Sequence, residues 1–187
     1  MAEHNGSSPS GTPKKGVTIY RATDAVDLQE TDFMAAPTMN DEVREQLSSV
    51  VSAGAGIGAK VTVLARQSEE EGGFSLVHCW FKADYPLPRH SHDADCMYYV
   101  ISGEAHLGNQ VLKPGDSFYI PADAPYVYNA GPDGVEVLEI RHDTASFDMK
   151  ILEQPAARWQ ALVDTTNANR DRWTAEQTSP TIAANQA

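Results

Sequence analysis

Two histidines one residue apart, His90-Ser91-His92, head a β-rich run. In an extended chain alternate side chains share a face, so positions i and i+2 aim both imidazoles the same way. A helix would need the spacing i, i+4 instead. Neutral imidazole is a ready ligand for transition metals and also a general base. Cys96 follows in the same stretch, and a thiolate suits iron, copper or zinc. His142 ends the run Val135-Glu136-Val137-Leu138-Glu139-Ile140-Arg141-His142. Leu138 and Ile140 share its parity, which predicts that His142 points inward and could serve as a further ligand.

Such residues need a framework of short strands. From Lys60 the period is two: Val61, Val63 and Ala65 alternate with Thr62, Leu64 and Arg66. Further β-rich runs cover 74–82, 90–102, 104–112, 117–120, 126–129 and 135–141. Between them stand turn residues, among them Ser102-Gly103, Pro114-Gly115-Asp116 and Gly131-Pro132-Asp133-Gly134. Many short strands with regular turns predict an all-β sandwich or barrel. Helical signals flank it. Over 38–51, Thr38 or Asn40 can cap, Asp41 and Glu42 occupy the first turn, and Val43, Leu47, Val50 and Val51 recur at helical spacing. The glycines of 52–58 lack the G-x-G-x-x-G spacing and follow no strand, so they read as a helix stop rather than a nucleotide loop. After His142 a helical pattern returns with Trp159, Leu162 and Val163. The expected organisation is a tail over 1–16, a barrel domain with its helical extensions over 17–165, and a C-terminal tail over 166–187, frayed from Thr178.

Two blocks carry a family likeness. The first is Pro88-Arg89-His90-Ser91-His92-Asp93-Ala94-Asp95-Cys96, closing at Gly103. The second is Gly115-Asp116-Ser117-Phe118-Tyr119-Ile120-Pro121-Ala122-Asp123-Ala124-Pro125-Tyr126-Val127-Tyr128-Asn129. Together, over about 74–142, they resemble the two motifs of the cupin superfamily. The resemblance implies a double-stranded β-helix, a jelly-roll barrel with its ligand pocket inside. It also implies a divalent transition metal (Fe, Cu, Ni, Mn or Zn) on His90 and His92. The chain departs from the metal-binding pattern twice. Cys96 stands where the family places a glutamate, and Tyr126 where it places a third histidine, while Asn129 is kept. Tyr98, Tyr126 and Tyr128 fall at positions that face the pocket in the family, and Trp80 could join them.

Composition bounds the rest. The chain has 187 residues, enough for one domain, and 41% hydrophobic against 21% charged residues excludes wholesale disorder. Its net charge of −12 repels phosphate backbones and anionic lipid, so no nucleic acid or membrane partner is expected. No apolar run approaches the roughly 20 residues of a membrane span. The first fifteen residues lack the apolar stretch of a secretory signal. Two cysteines, Cys79 and Cys96, make no disulfide framework, and a reduced, cytoplasmic protein is expected. Without a secretory signal, Asn5-Gly6-Ser7 carries no weight as a glycosylation site. His78 reads as a core residue, His106 as facing away from the core, and Asp93 and Asp95 as solvated loop acids.

Three chemistries are open at this point. In the first, a metal held by His90, His92 and substitutes among Cys96, Tyr126 and His142 serves an enzyme acting on a small carbonyl or aromatic substrate, and the resemblance makes a dioxygenase the leading choice. In the second, the pocket is organic. It then belongs to a lyase, isomerase or cyclase in which Tyr98 or Tyr126 handles a proton, or to a metal-free binding protein, with Tyr128 and Trp80 in the pocket wall. In the third, Cys96 does covalent or redox work. A homodimer is expected, because barrel edges need cover and the family commonly pairs.

Overall fold

The computed structural model describes residues 16–142 and 148–181. The expected tail, with His4 and Asn5, lies outside them except for Gly16. One sheet runs in the order β1 (Val26–Asp27), β2 (Ala59–Arg66), β3 (Ser75–Phe81), β8 (Asn129–Arg141), β5 (Cys96–Leu107) and β6 (Gln110–Leu112), all antiparallel. The strand β7 (Ser117–Ile120) pairs with the start of β5. A second, two-stranded sheet joins β4 (His90–His92) to β9 (Met149–Ile151). Apolar residues of the larger sheet, including Val77, Phe81, Val100 and Val137, close over one core. The result is the all-β jelly roll with flanking helices that the motifs implied.

The period-two pattern explains why these strands curl around that core. On β3, Val77, Cys79 and Phe81 face inward while Leu76, His78 and Trp80 do not. On β5, Cys96, Tyr98 and Val100 are buried, whereas Met97 and Tyr99 are exposed. The turn readings at Ser102-Gly103 and Gly131–Gly134 need correction: β5 and β8 run straight through both. The two strands cross there with register shifts between Val100 and Ser102 and between Gly103 and Ala105. Gly103 (φ +70) and Gly134 (φ +83) occupy the left-handed region, and a Cβ on Gly103 would collide with the Gly134 carbonyl. The turn-like composition therefore marks a bulged crossing.

α1 (Asp41–Ser52) begins where Asn40 Oδ1 accepts the Val43 amide at 2.9 Å and ends just before Gly54, at φ +106. Its Val43 and Val50 pack with Ile151, Trp159 and Leu162 in a second cluster. α2 (Ala156–Ala175) runs well past the expected boundary at 166. Its Trp173 is fully buried and donates from Nε1 to the Ala83 carbonyl at 2.8 Å. Lys82 Nζ donates to the Trp173 carbonyl. Residues 178–181 are packed rather than frayed: Ser179 is buried, and Thr181 donates its amide and hydroxyl to Glu136 at 2.8 and 2.9 Å. Residues 182–187 lie outside the described ones. No described helix is long and apolar enough to cross a membrane.

Candidate functional site

The histidine pair sits where strand parity put it. His90 and His92 are 4% and 8% exposed, with ring centroids 5.3 Å apart. Both face the barrel interior from β4. His90 Nδ1 lies 2.8 Å from the Pro88 carbonyl, to which it donates, leaving Nε2 as the lone-pair nitrogen of the neutral ring. The backbone of His90 also bridges to Tyr126 in both directions. Burial lowers the His90 pKa, against the pull of the Pro88 bond. It pushes His92 down to about 4, although Glu139 and a hydrogen bond to the Asp148 backbone act the other way. Both imidazoles are therefore neutral near pH 7.

Behind them lies an aromatic stack. The Tyr126 ring packs 4.3 Å from that of His90, its hydroxyl is hydrogen-bonded to the hydroxyl of Tyr98, and Tyr98 stacks on Phe118 at 4.5 Å. Tyr128 joins the same group, 6.0 Å from Tyr98. Burial first, then the Glu139 charge, holds all three phenols well above their ordinary pKa, so they stay protonated.

The residue that sequence parity missed is Glu139. Leu138 and Ile140 are half-buried on the outer face, and their neighbours Val137, Glu139 and Arg141 point in. His142 follows the outer set and is exposed, which corrects its inward placement. Glu139 accepts from Arg141 Nη2 at 2.6 Å and from Cys79 Sγ at 3.2 Å. Burial raises its pKa, but Arg141 and then His92 more than offset this, so it remains a carboxylate. Its charge acts on His90, His92, Cys79, Cys96, Tyr98, Tyr126 and Tyr128 alike. A sequence signal existed: Glu139 and Arg141 stand at i and i+2 in an apolar strand, the spacing of an ion pair on one face.

Trp80 lies on the opposite face of β3. It lines a small cavity of about 230 Å³ with His78, Lys60 and the 177–179 segment, under the Lys82 ammonium at 5.0 Å. The expectation that it joins the barrel pocket is thus corrected. His78 is buried, beneath the C-terminal segment rather than in the barrel core, and its Nε2 meets Glu136 at 2.8 Å. His106 bonds Glu104 away from the site, as expected. Asp93 and Asp95 organise loops, accepting respectively from the Asp148 amide and from Tyr119 and Ala122.

A cavity of about 370 Å³ opens on the pair. His90, His92, Cys79, Glu139 and Tyr128 form its barrel end. Tyr98, Tyr126 and Cys96 stand behind this wall. Two neutral imidazoles suit a metal, but among the described residues no group of three His, Cys, Asp or Glu side chains is placed to hold an ion. The Cys96 thiol is pushed up to about 12 by burial and contacts the Met97 carbonyl. Tyr126 is tied to Tyr98, and Glu139 is engaged by Arg141 and Cys79. As arranged, the residues do not fit a resident metal, which takes about three or four protein ligands.

A search of curated proteins found no match. Among solved structures, an RmlC-like cupin from Shewanella frigidimarina is 25% identical with a TM-score of 0.42, over 47% of this chain and 78% of that one. KdgF from Halomonas sp. is 21% identical with a TM-score of 0.42, over 46% and 80%. The polyketide cyclase RemF from Streptomyces resistomycificus is 16% identical with a TM-score of 0.44, over 59% and 82%. The family model described as a cupin domain matches residues 82–141, the stretch that carries the histidine pair, both motifs and Glu139, and the likeness to the cupin superfamily rests on that stretch.

Proposed function

We propose that the protein is an enzyme that moves a proton on a small neutral carbonyl or aromatic compound inside the barrel, as a lyase, isomerase or cyclase does. One observation carries this reading: two buried, neutral imidazoles and a carboxylate meet at the polar end of an otherwise apolar cavity. A neutral ring nitrogen of His92 accepts a proton from a carbon next to the carbonyl. The C–H electron pair becomes the carbon–carbon double bond of the enolate, the carbonyl π pair moves onto its oxygen, and the Glu139 carboxylate stabilises the imidazolium. Tyr128, held protonated in the cavity wall, donates a hydrogen bond to that oxygen. Tyr126 and Tyr98 act as positioning residues, holding the His90 ring from behind.

Turnover of enolisable ketones by the wild type, by His92→Gln and by Tyr128→Phe tests the reading. Loss in both variants with the fold intact supports it, and unchanged turnover in His92→Gln overturns it.

The His90–His92 spacing favours a second reading, a dioxygenase that uses a divalent transition metal held by this pair. Elemental analysis of the purified protein separates the two. One equivalent of Fe, Cu, Ni, Mn or Zn, lost in the His90→Ala/His92→Ala variant, selects the metal enzyme.

A further inference from the structure

The matched cupin stretch starts at residue 82, yet much of the cavity wall comes from residues before it. Leu28, Met34, Leu47 and Val50 line it from outside that stretch, and Met149 and Ile151 of β9, the strand partners of His92 and His90, continue the apolar wall beside the histidines. Val43, Leu47 and Val50 lie on one helical face of α1, at i, i+4 and i+7, so the helix turns a continuous hydrocarbon stripe toward β9 and the cavity. At the barrel end, the charged side chain in the wall is Glu139, which is already paired with Arg141 at 2.6 Å. An ionic ligand head would be stripped of water there without a counter-charge, at a large cost. A neutral carbonyl or hydroxyl meets hydrogen-bonding partners instead.

We infer that the ligand of this site is a neutral, elongated organic molecule with one carbonyl or hydroxyl head at His90 and His92, and that α1 with the 28–37 segment reads its apolar body. The inference rests on the barrel interior being a small-molecule site and adds which molecules it selects. Each methylene of the body moves from water onto the stripe of Leu47 and Val50, which tightens binding about fourfold. Selectivity then resides in the extension outside the matched stretch, while the chemistry resides in β4 and β8.

The test is direct binding of neutral methyl ketones of about four to ten carbons, and of carboxylates of equal length, to the full chain by calorimetry. Affinity should rise about fourfold per methylene until the cavity is full, and each carboxylate should bind at least about tenfold more weakly than its ketone. Leu47→Ser should weaken the longest ketones about tenfold and leave the shortest unaffected, so the short ketone and a thermal melt report that the variant is folded. Affinity independent of length, carboxylates binding as well as ketones, or a Leu47→Ser variant that melts like the wild type but loses short and long ketones equally would overturn the inference. Length-dependent binding without turnover would leave it standing and remove the proton-transfer reading. Turnover of short ketones without length dependence would do the reverse.

Discussion

Two glutamates three residues apart on β8 face opposite ways, and both are buried beside a histidine. Glu136 faces outward, and its oxygens are met by His78 Nε2 and by the amide and hydroxyl of Thr181. Burial raises its pKa, but these donors bring it below the ordinary value. Glu139 faces inward, meets Arg141 and Cys79, and borders a cavity. The first carboxylate is enclosed by partners from its own chain and pins the C-terminal segment to the sheet. The second projects its charge onto titratable groups in and behind the wall of an open cavity. Residue type and burial are the same in both, so the difference lies in what the carboxylate borders: packed chain for Glu136, free space for Glu139.

Substitution should separate the pair. Glu139→Gln is expected to lower turnover by about 10²-fold or more, because the charge that stabilises a protonated His92 is gone, with steady-state kinetics as the measurement. Glu136→Gln should leave turnover within a few fold and cost about 1–3 kcal/mol in denaturant unfolding, because a buried charged hydrogen-bond set is broken. The comparison fails if the two variants exchange phenotypes.

Trp173→Ala removes the other anchor of the C-terminal arm. It should cost about 3–5 kcal/mol in the same unfolding assay, the toll of deleting a buried indole together with its bond to Ala83.

The pH dependence of stability sharpens the inner half of the comparison. The folded pKa of His92, about 4, lies below its ordinary 6.5, so between these values the unfolded chain binds more protons. The stabilisation is present above pH 6.5 and is lost as pH falls toward 4, by about 3 kcal/mol for His92, and His90 shifts in the same direction. Urea midpoints measured across that range should fall, and His92→Gln should flatten the slope. Cys96→Ala should have the smallest effect, within a few fold in turnover, because its buried thiol stands behind the cavity wall rather than in it.

Residues that act locally were legible in the sequence. Asn40 caps α1 through its own side chain, and the His90–His92 spacing sets two imidazoles on one face of whatever strand holds them. The motif blocks implied the jelly roll, and the sheets bear it out. What failed depended on distant neighbours. Gly131-Pro132-Asp133-Gly134 has turn composition, yet β5 crossing at Gly103 turns it into a bulged strand. Parity along 135–142 was read from the hydrophobicity of Leu138 and Ile140. Much of β8 is buried on both faces, by the core inside and by the C-terminal segment outside, so hydrophobicity there does not say which face is inner. Glu139 was missed and His142 misplaced for that one reason. Trp80 was misassigned in the same way, since burial by Lys82 and the 177–179 segment looks the same in sequence as burial in the pocket.

Under the proposed function, His92, backed by Glu139, moves a proton on a neutral substrate with groups of this chain alone. The most direct measurement of this is deuterium exchange. Chelator-treated protein in D₂O is incubated with a neutral methyl ketone, and incorporation next to the carbonyl is followed by NMR. The account predicts catalysed incorporation by the wild type and its loss in His92→Gln. No incorporation above the buffer rate, or incorporation only after a divalent transition metal is restored, would contradict it.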